Sequence, residues 1–408
     1  MSVAIAIPPA QPAQPERART RSAPHVEVQP FAGLDPDTID AWRSLVDEDT
    51  QACLPLFPEA LSPADDATVL TAGDGDGGNP RLTGLTTLVR QQFDLAHHLL
   101  PIGLTKLPGF RMVGNRILHA GAPAVLSSLV DTLADHMLAA SVGMLEVEDV
   151  EVDSPLWNEL HRLTRRGFRC PMPIPPQPHH RIRLPDTAEE YWSEQFNSKE
   201  RSELRRRRKK LGEDVRVERY TRSEQINEFL EHAGAVSANT WQSRKRGIDI
   251  AGTAEEHRSL QFAASLDAWK SYILFREERP IAFALGYQWR GTYLYDQVGY
   301  DSEFVGLAPG KMLLVEILND LFAENLPHTF DFGAGHLDYK GFFSNETTQT
   351  ATLWVLPPGV RSAWVDTSLN VRRRLSRQVR EVLQRTGLKE LAHRIHRRGW
   401  RALRQEDK

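Results

Sequence analysis

One stretch of this sequence, residues 292–343, constrains the fold more than any other. Residues 293–298 are rich in aromatic and β-branched side chains and alternate in polarity, a pattern typical of a strand. Residues 311–326 carry few polar side chains and predict a helix that the rest of the protein largely covers. Pro327 ends that helix, and residues 329–333 follow as a second strand. Together these elements predict a parallel crossover in a mixed α/β protein.

The turn before this helix, residues 305–310, is poor in bulky polar side chains. Free backbone amides and the helix dipole make such a turn suitable for an anion, typically a phosphate or pyrophosphate. The alternative is that Pro309 and Gly310 only start the helix, as prolines at this position commonly do. The spacing of the residues alone leaves both interpretations open.

Length and composition exclude several classes of protein. A chain of 408 residues predicts two or three domains with real cores. The two cysteines, Cys53 and Cys170, form neither a disulfide framework nor a metal-binding pattern, and they fit a reducing compartment. No apolar run approaches the roughly 18 residues of a membrane-spanning helix. Residues 1–27 predict a disordered tail whose charges follow a short apolar run, unlike a secretory signal, so we expect a cytoplasmic protein.

The N-terminal half repeats the order of elements found in residues 292–343. Two alternating runs, 67–71 and 82–89, predict a hairpin. They are followed by a predicted strand (111–118), helix (124–138), strand (145–150) and second helix (156–166). This order without matching residues predicts two copies of one architecture.

The segment between the halves is strongly basic. Residues 197–210 hold eight basic side chains against two acidic ones and predict a helix. Its arginines could bind phosphates or an anionic polymer, or the helix could simply be solvated. A strand (215–220) and two helices (223–238 and 254–269) follow. Three hairpin-linked strands then end the segment, at 272–276, 281–288 and 292–298.

In the middle of these three strands, Ile281, Phe283, Leu285 and Tyr287 share one predicted face. The small residues between them leave the other face nearly bare, so a helix or a ligand can approach it.

The order of elements in the C-terminal half resembles the GNAT acyltransferase fold. The resemblance is carried by the segments Ser198 to Arg206, Tyr300 to Phe304, Ala308-Pro309-Gly310, Phe330 to Gly333 and Tyr339-Lys340. They are similar to the CelD/BcsL, or BioF2-like, acetyltransferase group, which is akin to the Fem peptidyltransferases. The resemblance implies tandem GNAT-like domains, with a degenerate copy at residues 28–185 and a catalytic copy at 186–357. A basic amphipathic segment, 358–408, would follow.

The resemblance implies that acetyl-CoA or another acyl-CoA is the co-substrate. The residues expected to bind it are Val298, Gly306, Leu307, Ala308, Pro309, Gly310 and Lys311. The turn departs from the usual GNAT phosphate loop, a glycine motif led by glutamine or arginine. No such loop is found in the N-terminal half, which we expect only to shape the acceptor cleft. No metal is expected.

Direct acyl transfer needs a base for the nucleophile and an acid for the leaving thiolate. Asp296 interrupts the apolar strand face of Leu294 and Val298, where loss of water should raise its pKa. A hydrogen-bonded structural aspartate is the alternative. Tyr339 lies where GNAT enzymes often place a tyrosine that protonates the thiolate. Lys340 lies where Fem-like proteins carry a lysine that holds a phosphate or offsets developing charge.

For Tyr339 and Lys340, a surface role on a short amphipathic helix is the alternative. The remaining predicted site residues are expected to contact the acceptor substrate, and they are Trp241, Arg244, Tyr295 and Tyr300.

The C-terminal tail concentrates positive charge. Residues 372–404 hold twelve arginines and lysines against two glutamates, a formal charge of +10 in a chain whose net charge is −4. Apolar residues recur there at helical spacing, which predicts a basic amphipathic helix for an anionic membrane surface. The alternative is a helix that packs on the N-terminal half. Nucleic acid is not expected as a partner, because no reading motif accompanies the charge.

The expected function is therefore that of an acyl-CoA-dependent N- or O-acyltransferase. Its acceptor would be an amine or hydroxyl of a sugar, a cell-envelope precursor or a small metabolite. One alternative is a Fem-like transferase that uses aminoacyl-tRNA, with tRNA as a partner. Another is a non-catalytic accessory protein of polysaccharide synthesis. The expected location is the cytoplasm, with peripheral attachment at the inner membrane face through the tail.

Overall fold

A computed structural model describes residues 24–49, 53–62, 65–74, 81–96, 98, 106–119, 121–240, 250–324 and 326–385. Three predictions therefore lie outside the described residues: most of the disordered tail, the substrate residues Trp241 and Arg244, and the chain beyond residue 385. The described part is a mixed α/β structure, as predicted.

The N-terminal half contains helices α1 to α3 and strands β1 to β7. In chain order these are β1 His25–Pro30, α1 Pro36–Glu48, β2 Ala67–Asp74, β3 Arg81–Asp94, β4 Lys106–Met112, β5 Leu118–His119, α2 Pro123–Ala139, β6 Met144–Glu151, α3 Pro155–Arg162 and β7 Gln177–Arg183.

The C-terminal half contains helices α4 to α10 and strands β8 to β13. In chain order these are α4 Ala188–Gln195, α5 Ser198–Leu211, β8 Val215–Tyr220, α6 Ile226–Ser237, α7 Ala254–Ser265, β9 Ser271–Arg276, β10 Arg279–Trp289, β11 Thr292–Tyr300, α8 Pro309–Ala323, β12 Thr329–Ala334, α9 Asp338–Phe343, β13 Glu346–Val355 and α10 Val360–Arg385.

Three predicted elements differ from the structure. The predicted strand 111–118 is two strands, β4 and β5, separated by a short 3-10 turn at Val113–Asn115. The predicted helix 254–269 ends at Ser265, because Asp267 adopts φ 53° and the N–H of Ala268 returns to the carbonyl of Ala263. The predicted turn 305–310 is largely a 3-10 helix, Ser302–Leu307.

The strands of both halves form one sheet in the order β1-β2-β3-β4-β6-β13-β7-β12-β11-β10-β9-β8, with β5 beside β3. The predicted parallel crossover is present, because β11 and β12 are parallel neighbours joined through α8. In the N-terminal half, β4 and β6 are joined in the same way through α2.

The two halves exchange strands at the centre of this sheet. Strand β7 of the N-terminal half pairs with β12, whereas β13 of the C-terminal half pairs with β6. Between them, β13 and β7 pair antiparallel. Among the described residues, five strands of this order lie on each side of that central pair in the same arrangement, so the predicted duplication is present in the structure.

Helix α8 packs on the bare face of β10. Ala282 and Ala284 share a core with Met312, Leu313 and Ile317 of the helix. Small side chains let the helix axis come close to the strand, which buries the apolar helix predicted from the sequence. Ile281 joins this core rather than the predicted face of Phe283, because the pairing of β10 with β9 shifts register between Pro280 and Ala282.

The opposite face of β10 is covered by helices α6 and α7. Phe283 and Leu285 pack there with Phe229 and Leu260, and Leu54 of the N-terminal half contacts the same core. The hairpin turn between β10 and β11 is fastened to the N-terminal half as well. Arg290 donates to the carbonyls of Val46 and Asp49 at 2.8 and 2.9 Å. Val46, Asp49 and Leu54 of the N-terminal half therefore lie against this side of the C-terminal half.

Candidate functional site

Strands β11 and β12 separate part of the way along their length. Their pairing covers only Thr292–Leu294 and Thr329–Asp331. Beyond these residues a cavity of about 180 Å³ opens between the strands. Its walls include Tyr295, Asp296, Val298, Tyr339 and Lys340. The predicted base, the two predicted residues of α9 and two predicted ligand contacts therefore meet in one place.

Asp296 occupies a β-bulge. Leu285 lies opposite Gln297 and Gly286 lies opposite Tyr295, so Asp296 has no partner residue on β10. Such a bulge redirects one side chain and interrupts the ladder of backbone hydrogen bonds. Asp296 is exposed as a whole residue and is one of the residues that line the cavity. Burial there raises the pKa of Asp296, in the predicted direction.

The small residue Gly286 is required beside this bulge. A Cβ atom on Gly286 would lie 2.2 Å from the Oη atom of Tyr293 and 2.9 Å from the carbonyl of Lys270. The Tyr293 hydroxyl donates to that same carbonyl at 3.0 Å. The bulge is therefore built on a close contact that a larger residue would not allow.

The sequence analysis did not place Tyr287 near Asp296. Burial raises the pKa of Tyr287, and the negative charges of Asp296 and Glu256 raise it further. The Asp296 carboxylate therefore acts on the phenol of Tyr287 on the α6 and α7 side of the sheet. The shared face of Phe283 and Tyr287 was visible in the sequence, but its closeness to Asp296 depends on the bulge.

Two tyrosines line the cavity on the α8 and α9 side. Tyr295 is buried against Phe330 and Phe332, with ring centroids 5.5 and 5.9 Å away. Tyr339 is half-buried and meets Phe332 edge-on at 6.0 Å. Burial raises the pKa of both phenols. Both hydroxyls therefore keep their protons at neutral pH, as a proton donor must.

The ammonium group of Lys340 is held by the backbone of β12. Its Nζ atom donates to the carbonyls of Phe332 and Ala334 at 2.7 and 2.9 Å. Burial lowers the pKa of Lys340, while the charges of Asp331 and Asp149 act in the opposite direction. Lys340 thus lines the cavity as a buried cation rather than as an exposed residue of a surface helix.

The N-terminus of α8 has the features predicted for an anion site. Ala308 adopts φ 52° at the start of the helix, and no side chain caps it. Pro309 follows in the first turn, which contains no acidic residue. The Gly310 position is tight, because a Cβ there would lie 3.3 Å from Cδ1 of Tyr300. Tyr300, which was predicted to contact the acceptor, therefore packs beneath this turn and is not among the cavity-lining residues.

Basic side chains surround the same turn. Lys210 of α5 donates from Nζ to the carbonyl of Gly306 at 3.5 Å. Lys311 lies with its Nζ 4.2 Å above the ring of Phe342. Burial lowers the pKa of Lys311, and the charge of Arg207 lowers it further. Glu203 pairs with Arg207 at 2.8 Å, and its negative charge acts on Lys311 in the opposite direction, so it offsets part of this repulsion.

Part of the basic helix α5 has a structural role. Asn197 and Glu200 form a capping box at its start. Arg201 donates to the carbonyl of Phe196 at 2.7 Å, and Arg208 pairs with Glu316 of α8 at 2.6 Å. The exposed Lys209 and Lys210 of the last turn face solvent. Arg201 and Arg208 are thus engaged within the protein, and binding of a phosphate or an anionic polymer by the other basic residues stays a prediction.

Within the described residues, no three His, Cys, Asp or Glu side chains are grouped to bind a metal ion. None of the helices described combines the length and apolar content that crossing a bilayer requires.

Residues 198–341 match the Acetyltransferase (GNAT) domain family, about one third of the chain. No curated protein sequence matches this chain. The matched segment spans α5 to α9 and so includes the cavity, the turn before α8 and all three predicted catalytic residues.

Solved structures are similar to about four fifths of the chain. The structure of FemX is 13% identical, covers 81% of this chain and 97% of its own, and has a TM-score of 0.54. The C-terminal domain (DUF2156) of a putative lysylphosphatidylglycerol synthetase from Agrobacterium fabrum is 12% identical, with a TM-score of 0.50. It covers 82% of this chain and 96% of its own. At such identities the likeness concerns the fold, and the predicted GNAT-type fold is confirmed.

Proposed function

We propose that this protein transfers an acyl group, acetyl in the simplest case, from a coenzyme A thioester to an amine or hydroxyl. The observation that carries the proposal is the position of Asp296. It lies in an unpaired bulge where β11 and β12 separate, with its pKa raised by burial. A carboxylate of this kind suits a general base that works near neutral pH.

The donor is expected to bind from the N-terminus of α8 into the cavity. The uncapped amides after Ala308 and the cations Lys210 and Lys311 favour a pyrophosphate. Val298, which lines the cavity, would contact the pantetheine arm. Gly306 leaves the approach to the helix open, since a Cβ built on it would meet no neighbouring group within 4 Å, while Leu307 packs on the core beneath α8.

The chemistry follows from the groups that meet in the cavity. Asp296 accepts the proton of the acceptor nitrogen or oxygen as that atom forms a bond to the thioester carbonyl carbon. The carbon–sulfur bond then breaks, and the electron pair leaves with sulfur. Tyr339 gives its proton to that thiolate and recovers one from solvent, while the charge of Lys340 offsets negative charge in the cavity. General base catalysis of this kind contributes about 10²- to 10⁴-fold in rate.

The acceptor is expected on the α6 and α7 side of the sheet. Tyr287 lies there within reach of the charges of Asp296 and Glu256, and the N-terminal half contributes Leu54 to the same core. This supports a role for the N-terminal half in shaping the acceptor cleft. Membership in the CelD/BcsL group, and an acceptor that is a sugar or envelope precursor, remain part of the proposal.

A second candidate function is transfer from aminoacyl-tRNA. It is favoured by the exposed cations of α5 beside the donor turn and by the fold shared with FemX. Binding of RNA through many such residues would weaken steeply with salt, whereas a coenzyme A site built on the backbone amides and two lysines at one turn would weaken less. A non-catalytic accessory protein is the third candidate, and it would bind neither donor.

Thermal unfolding with added ligand tests these candidates. A donor present at a hundred times its dissociation constant should stabilise the folded protein by about 2.7 kcal/mol. Coenzyme A and acetyl-CoA should both raise Tm, while pantetheine, which lacks the pyrophosphate, should raise it less. Stabilisation by tRNA at low salt alone would support the second candidate. No shift with any of these ligands would overturn donor-dependent transfer.

A further inference from the structure

A group of charged residues from both halves surrounds the end of β12. We name it the Asp331 cluster, and its members are Asp149, His179, Arg181, Asp331 and Lys340. The Nε2 atom of His179 donates to Oδ1 of Asp331 at 2.6 Å, because a carboxylate only accepts. The Nε atom of Arg181 donates to Oδ2 of Asp331 at 3.1 Å. Two residues of the exchanged strand β7 therefore hold this carboxylate.

Asp331 lies where β11 and β12 part. Leu294 and Asp331 are the last paired residues of these strands. On its other side, β12 bulges against β7, because the paired positions run from Asp331 opposite Arg181 to Ala334 opposite His179. Between these two pairs, β12 therefore contains one residue more than β7. The bulge contains Gly333, which adopts φ 68°.

The Asp331 carboxylate holds the bulge whose carbonyls bind the ammonium group of Lys340. Its Oδ1 atom accepts from the N–H of Gly333 at 2.7 Å. The carbonyls on either side of Gly333, those of Phe332 and Ala334, accept from Nζ of Lys340. Lys340 and its neighbour Tyr339 are both lining residues of the cavity. A continuous chain of hydrogen bonds therefore runs from β7, through Asp331 and the bulge, to the cavity wall.

The electrostatics of the cluster match this geometry. Burial alone would raise the pKa of Asp331. The hydrogen bond and charge of His179, the hydrogen bond from the Gly333 N–H and the charge of Arg181 outweigh burial, so the pKa lies below its ordinary value. Asp331 is therefore ionised. Burial raises the pKa of Asp149, against the charges of His179 and Lys340. The charge that raises the pKa of Lys340 most is therefore that of Asp331, and the charge of Asp149 comes second.

We propose that Asp331 is a positioning residue for acyl transfer, and that the N-terminal half controls the active cavity through it. Held by His179 and Arg181, Asp331 sets the bulge that places Lys340 and Tyr339 beside the reacting groups. The proposal rests on the proposed function, because it assigns Asp331 a role in the same cavity. It gives the exchanged strand β7 a function besides completing the sheet.

The test compares Asp331→Asn with a matched control. The amide has the size of the carboxylate and can still accept from Gly333 N–H, but it has no charge. Glu346→Gln is the control, because it removes the ion pair of Glu346 with the exposed Arg183 on the same strand β7. If Asp331→Asn does not fold, Arg181→Gln and His179→Gln are used in its place, because each weakens the same cluster.

Two measurements distinguish positioning from stability alone. The first follows the ammonium of Lys340 by NMR in protein labelled with ¹³Cε-lysine, with the signal assigned by its loss in Lys340→Met. Asp331→Asn should lower the pKa of Lys340, and Glu346→Gln should leave it unchanged. The second measures acyl transfer, where Asp331→Asn should reduce kcat by roughly 10- to 100-fold with a smaller change in KM for the donor.

An unchanged Lys340 titration in Asp331→Asn would overturn the proposal. So would an unchanged kcat alongside a lowered Tm, since that result indicates a purely structural role. If the wild-type protein transfers no acyl group from any donor, the proposed function fails on its own. The NMR titration then still decides whether Asp331 controls Lys340.

Discussion

His179 and Asp331 belong to opposite halves of the chain, and their Nε2 and Oδ1 atoms are 2.6 Å apart. The contact exists because β7 of the N-terminal half lies between β12 and β13 of the C-terminal half. In return, β13 completes the N-terminal half beside β6. The cavity in the C-terminal half therefore depends on a strand that the chain supplies from its other half.

This exchange predicts that the halves do not fold separately. A fragment of residues 186–385 leaves the facing edges of β12 and β13 unpaired, which exposes backbone groups and invites aggregation. We expect it to lack a cooperative thermal transition by circular dichroism. A fragment of residues 168–385, which retains β7, is the matched control and should be more soluble and more structured. Equal stability of the two fragments would contradict the prediction.

A negative charge at the start of α8 is expected to weaken donor binding. Gly310→Asp places a carboxylate in the first helical turn, where it competes with the pyrophosphate. Gly310→Asn is the control, because either side chain must displace Tyr300, which lies 3.3 Å from the new Cβ. We expect coenzyme A to bind Gly310→Asp about tenfold more weakly than Gly310→Asn by calorimetry, roughly 1.4 kcal/mol.

Loss of fold would not explain that result, because an acidic residue in the first turn stabilises a helix. Equal coenzyme A affinities in the two variants would place the pyrophosphate elsewhere.

Asp296→Asn is expected to change both the rate and its pH dependence. A general base works when deprotonated, so kcat/KM should rise with pH through the pKa of Asp296, which burial raises above its ordinary value. Asp296→Asn should lower kcat/KM by about 10²- to 10⁴-fold and abolish this acid limb. Gln297→Ala, the neighbouring cavity residue, should retain the limb. If the fall in kcat/KM at acid pH persists in Asp296→Asn, another group is the base.

The same substitution should not cost stability at neutral pH. A raised folded-state pKa means that the carboxyl group favours the folded state in its protonated form. That contribution is present below the unfolded pKa and is lost as the pH rises through the folded one. Asp296→Asn should therefore be as stable as the wild type or slightly more stable at pH 7, as measured by urea unfolding. Clear destabilisation would instead support a structural aspartate.

The C-terminal helix α10 is expected to bind anionic membranes through its second part. Val365 and Leu369 are buried against strands of the N-terminal half, whereas Leu375 is 49% exposed. The start of the helix therefore packs on the N-terminal half, as the alternative interpretation expects, but Leu375, which that alternative would bury, is exposed. The side chains of Val379, Leu391 and Ile395 lie outside the described residues. For a basic surface of this kind, each basic residue near an anionic bilayer contributes about 1 kcal/mol to the free energy of membrane binding.

Deleting residues 372–408 should abolish sedimentation with phosphatidylglycerol vesicles and leave coenzyme A binding intact. Neutral phosphatidylcholine vesicles are the control, and added salt should release the wild-type protein. An unstable or aggregating truncation would instead indicate that this segment packs on the N-terminal half. Unchanged vesicle binding would place the membrane contact on another surface.

The sequence by itself determined the type of many elements, including those that form the cavity. Alternation and β-branched content predicted β9 to β11, and the apolar content of residues 311–326 predicted α8. These patterns depend on neighbours close along the chain, which is why they can be read without a structure. Asp296 was found for the same reason, since a carboxylate in an apolar strand face is visible locally.

Only the tertiary structure decided which strands pair and in what register. Strand partners are chosen by hydrogen bonds and burial between segments far apart in sequence, so no local pattern indicated that β7 lies beside β12. The same holds for the bulge that leaves Asp296 without a partner and for the carbonyls that hold Lys340. Residues 179 and 331 meet because two halves of one sheet exchange strands, a relationship that exists only once the chain has folded.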